Sequence, residues 1–253
     1  MNSWYRTKIH KVYKGKNAFL AMVFENLPYG LPSYVFSPEW FYGFDSIIEL
    51  IAIIVSVLLV YYSYKCFKLT KENKYLYFST AFLSLTIAFI AKIIGTFAIY
   101  KPTVTRTAIG SMIHQTFNNL TPYNINALAL IVHYFFMLLG FMVLFLIISK
   151  LSWKNQRVIL LLIYFVFLAT WISIIHYQLF YLTSFVLLLL ITYAYHQNYK
   201  EIKTEKARFV LIAFGILLVS QSLFIFVIYS NILYVLAQLV QLLGFVYLLI
   251  PFI

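Results

Sequence analysis

The sequence predicts an all-α integral membrane protein, a seven-transmembrane-helix bundle. Three observations carry this. Hydrophobic residues make up 63% of the 253 residues and charged residues only 10%, which excludes an ordinary soluble domain. Apolar runs long enough to cross a hydrocarbon core of roughly 30 Å recur along the whole chain. The cations gather in alternate connections between those runs. In a soluble protein a net charge of +12 would point to nucleic acid. Here it reads as topology and as contact between cytoplasmic loops and anionic lipid headgroups. No aromatic–basic motif of an RNA-binding module is present, so no nucleic-acid partner is expected.

Residues 1–43 read as an N-terminal extracytoplasmic tail, and residues 44–253 as the transmembrane domain. Arg6, Lys8, Lys11, Lys14 and Lys16 precede a short apolar patch, Ala18–Phe24. That patch is too short for a signal peptide and lacks a clear cleavage site. Pro28, Pro32 and Pro38 then break regular structure. Trp40, Phe41, Tyr42 and Phe44 read as an interfacial aromatic belt.

The predicted helices run Phe44–Cys66, Tyr75–Ala98, Ile125–Ile148, Val158–Ile175, Gln178–His196, Phe209–Tyr229 and Ile232–Ile253. The first is the type case: FDSIIELIAIIVSVLLVYYSYKCFK is almost wholly apolar, with Asp45 and Glu49 one turn apart near its start. The fourth and fifth helices turn tightly at IIHYQ, and the sixth and seventh at Ser230-Asn231. Pro251 falls in the last turn, as a fraying end. Cys66 is the single cysteine, so no intramolecular disulfide forms. It reads as a buried small residue at a boundary, with lipidation as the alternative.

Cation counting sets the orientation. Lys65, Lys68, Lys71 and Lys74 fill the first connection, Lys150, Lys154 and Arg157 the third, and Lys200, Lys203, Lys206 and Arg208 the fifth. The second holds only Lys101 and Arg106, and the fourth and sixth hold none. The expected topology is N-terminus out and C-terminus in. The tail cations oppose it. Either the tail is translocated regardless, or Met22 is the native start. With the chain ending at the seventh helix, output is expected through a separate membrane or cytoplasmic partner.

The second connection, Tyr100–Asn124, is the long one. Ile109, Met112, Ile113 and Phe117 fall at helical spacing and predict a short amphipathic helix on the outer surface. Asn119-Leu120-Thr121 is a glycosylation sequon on the same side. A shift of 132 residues places Lys68, Lys71 and Lys74 on Lys200, Lys203 and Lys206, and Ala81-Phe82 on Ala213-Phe214. That suggests a 3+1+3 parallel pseudo-repeat, a layout known in transporters.

Intramembrane polar residues mark the candidate site. Asp45, Glu49, Lys92, His133, His176, Gln221, Gln238 and Gln241 all fall toward the outer half, while the inner half reads as nearly pure Leu, Ile, Val, Phe and Tyr. Charge at mid-membrane costs about 2.5–3.5 kcal/mol on insertion scales, so such groups face partners or water. Glu49 with Lys92 is the obvious pair. It is either a lock between two helices or part of an outward-facing pocket for a polar ligand. The histidines lack the HxxxH or HExxH spacing of a zinc site, so no metal is expected. Helices six and seven contain no histidine, against the zinc-dependent seven-helix hydrolases, and the seventh has no lysine for a retinal Schiff base. No catalytic constellation and no cofactor box stands out; the Met and aromatic stripes read as packing or lipid-facing residues.

The run DSIIELIAIIVSVLLVYYSYKCFKLTKENKYLYFSTAFLSLTIAFIAKIIG, Asp45–Gly95, resembles the start of small seven-helix membrane proteins of unknown function from archaea. It rests on D-x3-E, the lysine loop and the late lysine of helix two. The resemblance implies an archaeal seven-helix protein and supplies no activity. The function expected from the residues is a receptor-like or sensory binding module in the cell membrane. A small transporter or channel with a Glu/Lys/His relay, and a structural or assembly subunit, are the alternatives. An enzyme is not expected.

Overall fold

The computed structural model describes residues 37–41, 43–100, 122–149 and 156–252. The N-terminal cations, the aromatic Tyr42, the expected surface helix at Ile109–Phe117 and the Asn119 sequon lie outside them. Seven long helices account for most of the described chain: α1 Phe44–Thr70, α2 Asn73–Tyr100, α3 Pro122–Ile148, α4 Gln156–Ile175, α5 Tyr177–Ile202, α6 Glu205–Ile225 and α7 Asn231–Leu249. Short 3-10 turns follow α6 (Phe226–Tyr229) and α7 (Ile250–Phe252), and another, Glu39–Phe41, precedes α1. All but α4 are long and apolar enough to cross a membrane; the apolar part of α4 is Ile159–Ile175.

The helix ends follow local chemistry. Gly43 takes φ +90 just before α1, a conformation that glycine adopts freely. Asp45 Oδ1 then accepts from the backbone N–H of Ser46 (2.8 Å) and of Gly43 (3.1 Å), which satisfies orphan donors at the helix start. α1 and α5 each end on a lysine in the left-handed region, Lys71 at φ 58 and Lys203 at φ 50. Each donates its N–H four residues back, to Phe67 O and Tyr199 O. Thr204 and Ser230 cap α6 and α7 through their hydroxyls. His176 alone separates α4 from α5, as the extended N-cap of α5.

Six helices close a ring, with α1 on α2, α2 on α3, α3 on α5, α5 on α6, α6 on α7 and α7 back on α1. α4 packs on α3 and α5. It buries a narrow strip, Val166, Ala169, Thr170 and Ser173, at the i, i+3, i+4, i+7 spacing of one helix face, while Leu160, Leu161, Tyr164 and Phe167 stand exposed. Small residues let the ring tighten. A Cβ on Gly140 of α3 would meet Leu85 Cδ2 of α2 at 2.8 Å and the Ala81 carbonyl at 3.1 Å. A Cβ on Gly244 of α7 would meet Leu217 Cδ2 of α6 at 2.6 Å.

Two apolar clusters fill the bundle. The larger, including Leu59, Phe82, Leu85, Phe141, Leu144, Phe214, Leu217, Phe245 and Leu248, occupies the length toward the end carrying Lys71 and Lys203. The smaller, Phe41, Ile48, Phe224, Val227, Tyr234, Val235 and Ala237, closes the opposite end. Phe41 corrects the expected aromatic belt. It is 5% exposed and packed under α6 and α7, whereas its neighbour Trp40 is 67% exposed. The 3-10 turn, closed by Phe41 N–H to Pro38 O at 2.8 Å, points the two rings to opposite environments. The lysine-rich half is also less purely apolar than expected. Ser63 is buried there, and Ser79 Oγ donates to Val60 O at 3.3 Å, stitching α2 to α1.

Candidate functional site

Along each helix that lines the boundary between the two clusters, the polar residues fall between the apolar ones. On α1, Glu49 lies between Ile48 and Ala52; on α6, Gln221 lies between Leu217 and Phe224; on α7, Gln238 and Gln241 lie between Ala237 and Phe245. The result is a buried polar layer. Its centre is an ion pair, Lys92 Nζ of α2 to Glu49 Oε1 of α1 at 2.7 Å, with side chains 13% and 1% exposed. The second carboxylate oxygen, Glu49 Oε2, is fully buried. Gln238 Nε2 donates to Tyr234 Oη at 3.0 Å and lies within reach of the Glu49 carboxylate. Gln221 Oε1 is a buried acceptor with no hydrogen-bond partner among the described residues.

Aromatic rings complete the surroundings. Lys92 Nζ stands 5.9 Å from the ring centres of both Phe224 and Tyr234, within cation–π reach. Tyr181 of α5 stacks on Phe224 at 4.8 Å, and Phe224 meets Tyr234 edge-on at 5.9 Å. The ammonium is thus held by one carboxylate and two ring faces.

His133 of α3 is buried beside this group and serves the frame. Its Nδ1–H donates to the Ala88 carbonyl of α2 at 2.9 Å. Since a carbonyl only accepts, the proton is on Nδ1. The ring lies 5.6 Å from Phe180 and 5.7 Å from Tyr134. Three helices, α2, α3 and α5, are joined through it. Ser220 of α6 does the same for α7, donating to Ala237 O at 3.0 Å.

Of the eight residues singled out from sequence, seven are enclosed in the bundle: Asp45, Glu49, Lys92, His133, Gln221, Gln238 and Gln241. His176 is not among them. It is exposed at the α4–α5 turn, because a one-residue link leaves its side chain outside both helices. Asp45 is used at least in part as a cap, one turn before Glu49. His133 lies three turns into α3, which starts at Pro122. Tyr181, Phe224 and Tyr234 were not singled out, since an aromatic at helical spacing looks like packing. One signal was available: Tyr181 and Phe224 stand 132 residues after Glu49 and Lys92, the same offset that aligns the lysines. Among the described residues no three His, Cys, Asp or Glu side chains converge as metal ligands.

The fold and this centre define a multi-pass helical membrane protein with an enclosed polar layer. No protein family, curated protein or solved structure matches the chain.

Proposed function

We propose that this chain is a small-solute transporter of the cell membrane, built as two three-helix repeats joined by α4, with Glu49 and Lys92 at the solute site. The N-terminus lies outside, the C-terminus inside, and α4 spans the membrane as the seventh helix. What supports the reading is a set of local features that recur 132 residues apart. The offset carries Lys71 to Lys203, both left-handed, and Phe67 to Tyr199, the carbonyls they bond. It carries the start of α2, Asn73, to the start of α6, Glu205. It carries Leu85, packed on Gly140, to Leu217, packed on Gly244. It carries Ala88, the acceptor from His133, to Ser220, the donor to Ala237. A constant separation also relates α3 to α7, since Gly140 to Gly244 and His133 to Ala237 have equal spacing.

In this reading the ion pair Glu49–Lys92 and the stack Tyr181–Phe224 occupy corresponding places in the two repeats, and Lys92 faces Phe224 across their junction. Solute sites of repeat transporters lie at such junctions, and access alternates as one repeat rocks against the other. A thick apolar layer separates the site from the lysine-rich end and a thin one from the opposite end. The assembly-subunit reading needs only the lock.

The test places spin labels at Lys71→Cys and Lys203→Cys, both exposed, in a Cys66→Ser background. The chain is reconstituted in lipid nanodiscs. Transport predicts two distance populations across the lysine-rich end, with their ratio shifted by Glu49→Gln. One unchanged distribution in both proteins means that the pair is a lock and ends the proposal.

A further inference from the structure

We infer that the polar layer takes a small zwitterion of the α-amino-acid class, whose ammonium replaces Lys92 against Glu49 and whose carboxylate takes Lys92. The inference rests on the transport reading and names the solute class of that same site.

The argument starts from the enclosed pair. Separating buried opposite charges is expensive when either is left without a partner. A ligand that is only a cation would take Glu49 and leave the Lys92 ammonium to Asp45, whose Oδ1 is already engaged by the Gly43 and Ser46 amides. A ligand that is only an anion would take Lys92 and strand Glu49. Among the described residues Lys92 is the lysine paired with Glu49, and His133 Nδ1 is committed to Ala88 O. A zwitterion exchanges one ion pair for two and strands nothing.

The surroundings match its two ends. The cationic end needs acceptors and ring faces. Gln221 Oε1 is a buried acceptor lacking a hydrogen bond among the described residues, and the Glu49 carboxylate, met by Lys92 and with Gln238 beside it, can accept further; Glu49 and Gln221 are each 1% exposed. Phe224 and Tyr234 already present their faces to an ammonium, that of Lys92. In the closed structure Lys92 therefore stands where a ligand's ammonium would stand. The anionic end needs a mobile donor, and the four-carbon stem of Lys92 lets its ammonium follow a carboxylate without moving α2. A neutral sugar would use neither the charge nor the cage.

The experiment uses the full chain in nanodiscs and follows thermal unfolding with each of the twenty common L-α-amino acids in turn. At least one is expected to raise Tm by about 2 °C or more, saturably. For that amino acid, the amine lacking its carboxylate and the acid lacking its ammonium are each expected to bind at least about tenfold more weakly. Gln221→Leu, which leaves the ion pair intact, is expected to weaken binding and to leave the unliganded chain folded. If no amino acid stabilises the protein, or if the bare amine, the bare acid or glucose binds as well, the zwitterion is wrong. Two spin-label populations without any amino-acid binding would leave transport standing and remove the solute class. Amino-acid binding with a single population would keep the site and remove transport.

Discussion

Glu49 Oε1 and Lys92 Nζ lie 2.7 Å apart, and this contact ties α1 to α2 at the boundary between the two apolar clusters. Removing one partner leaves the other charged and buried. Glu49→Gln and Lys92→Met are each expected to destabilise the protein by about 3–5 kcal/mol, and the double variant by less than their sum. Denaturation of all four proteins in one detergent measures the coupling. Additive losses would mean that the two groups do not form the pair described.

The two close helix approaches make a second prediction. Gly140→Ala pushes a methyl against Leu85 and the Ala81 carbonyl, and Gly244→Ala pushes one against Leu217. Overpacking of this kind costs about 1–3 kcal/mol. Both variants are expected to lower Tm, and adding Leu217→Val to Gly244→Ala is expected to restore part of the loss. A neutral Gly244→Ala would show that α6 and α7 relax apart freely.

His133 tests the frame around the centre. With Nδ1–H donating to Ala88 O, the neutral ring carries its proton on Nδ1. Nitrogen NMR of the labelled protein is expected to show that tautomer; a proton on Nε2 alone would contradict the contact. His133→Leu removes the donor and is expected to cost about 1–3 kcal/mol by thermal unfolding.

The left-handed lysines give a stabilising prediction. Non-glycine residues in that region carry a penalty that glycine avoids. Lys71→Gly and Lys203→Gly are each expected to add up to about 1 kcal/mol of stability, by similar amounts, since their backbones match at φ 58 and φ 50. A loss of stability at one site only would show that its side chain, rather than its backbone, matters there.

Much of this protein is legible in the chain because hydropathy and helical period are local properties. The run at Phe44–Cys66 is a span from its composition alone, and the structure extends it only to Thr70. Six spans and the turns at His176 and Ser230 follow in the same way. Glu49 and Lys92 were also readable as partners, because two opposite charges in apolar helices have few other places to go.

Which faces meet is a different matter, since it depends on contacts between residues far apart in sequence. His133 and His176 look alike as letters, yet one is locked between α2, α3 and α5 and the other is left outside at a turn. Phe41 and Trp40 are adjacent, yet one belongs to the core. Phe224 and Tyr234 read as packing until α6 and α7 bring their rings to the Lys92 ammonium. An aromatic side chain serves equally well against lipid, against another ring or against a cation. Only the closure of the ring of helices selects among the three.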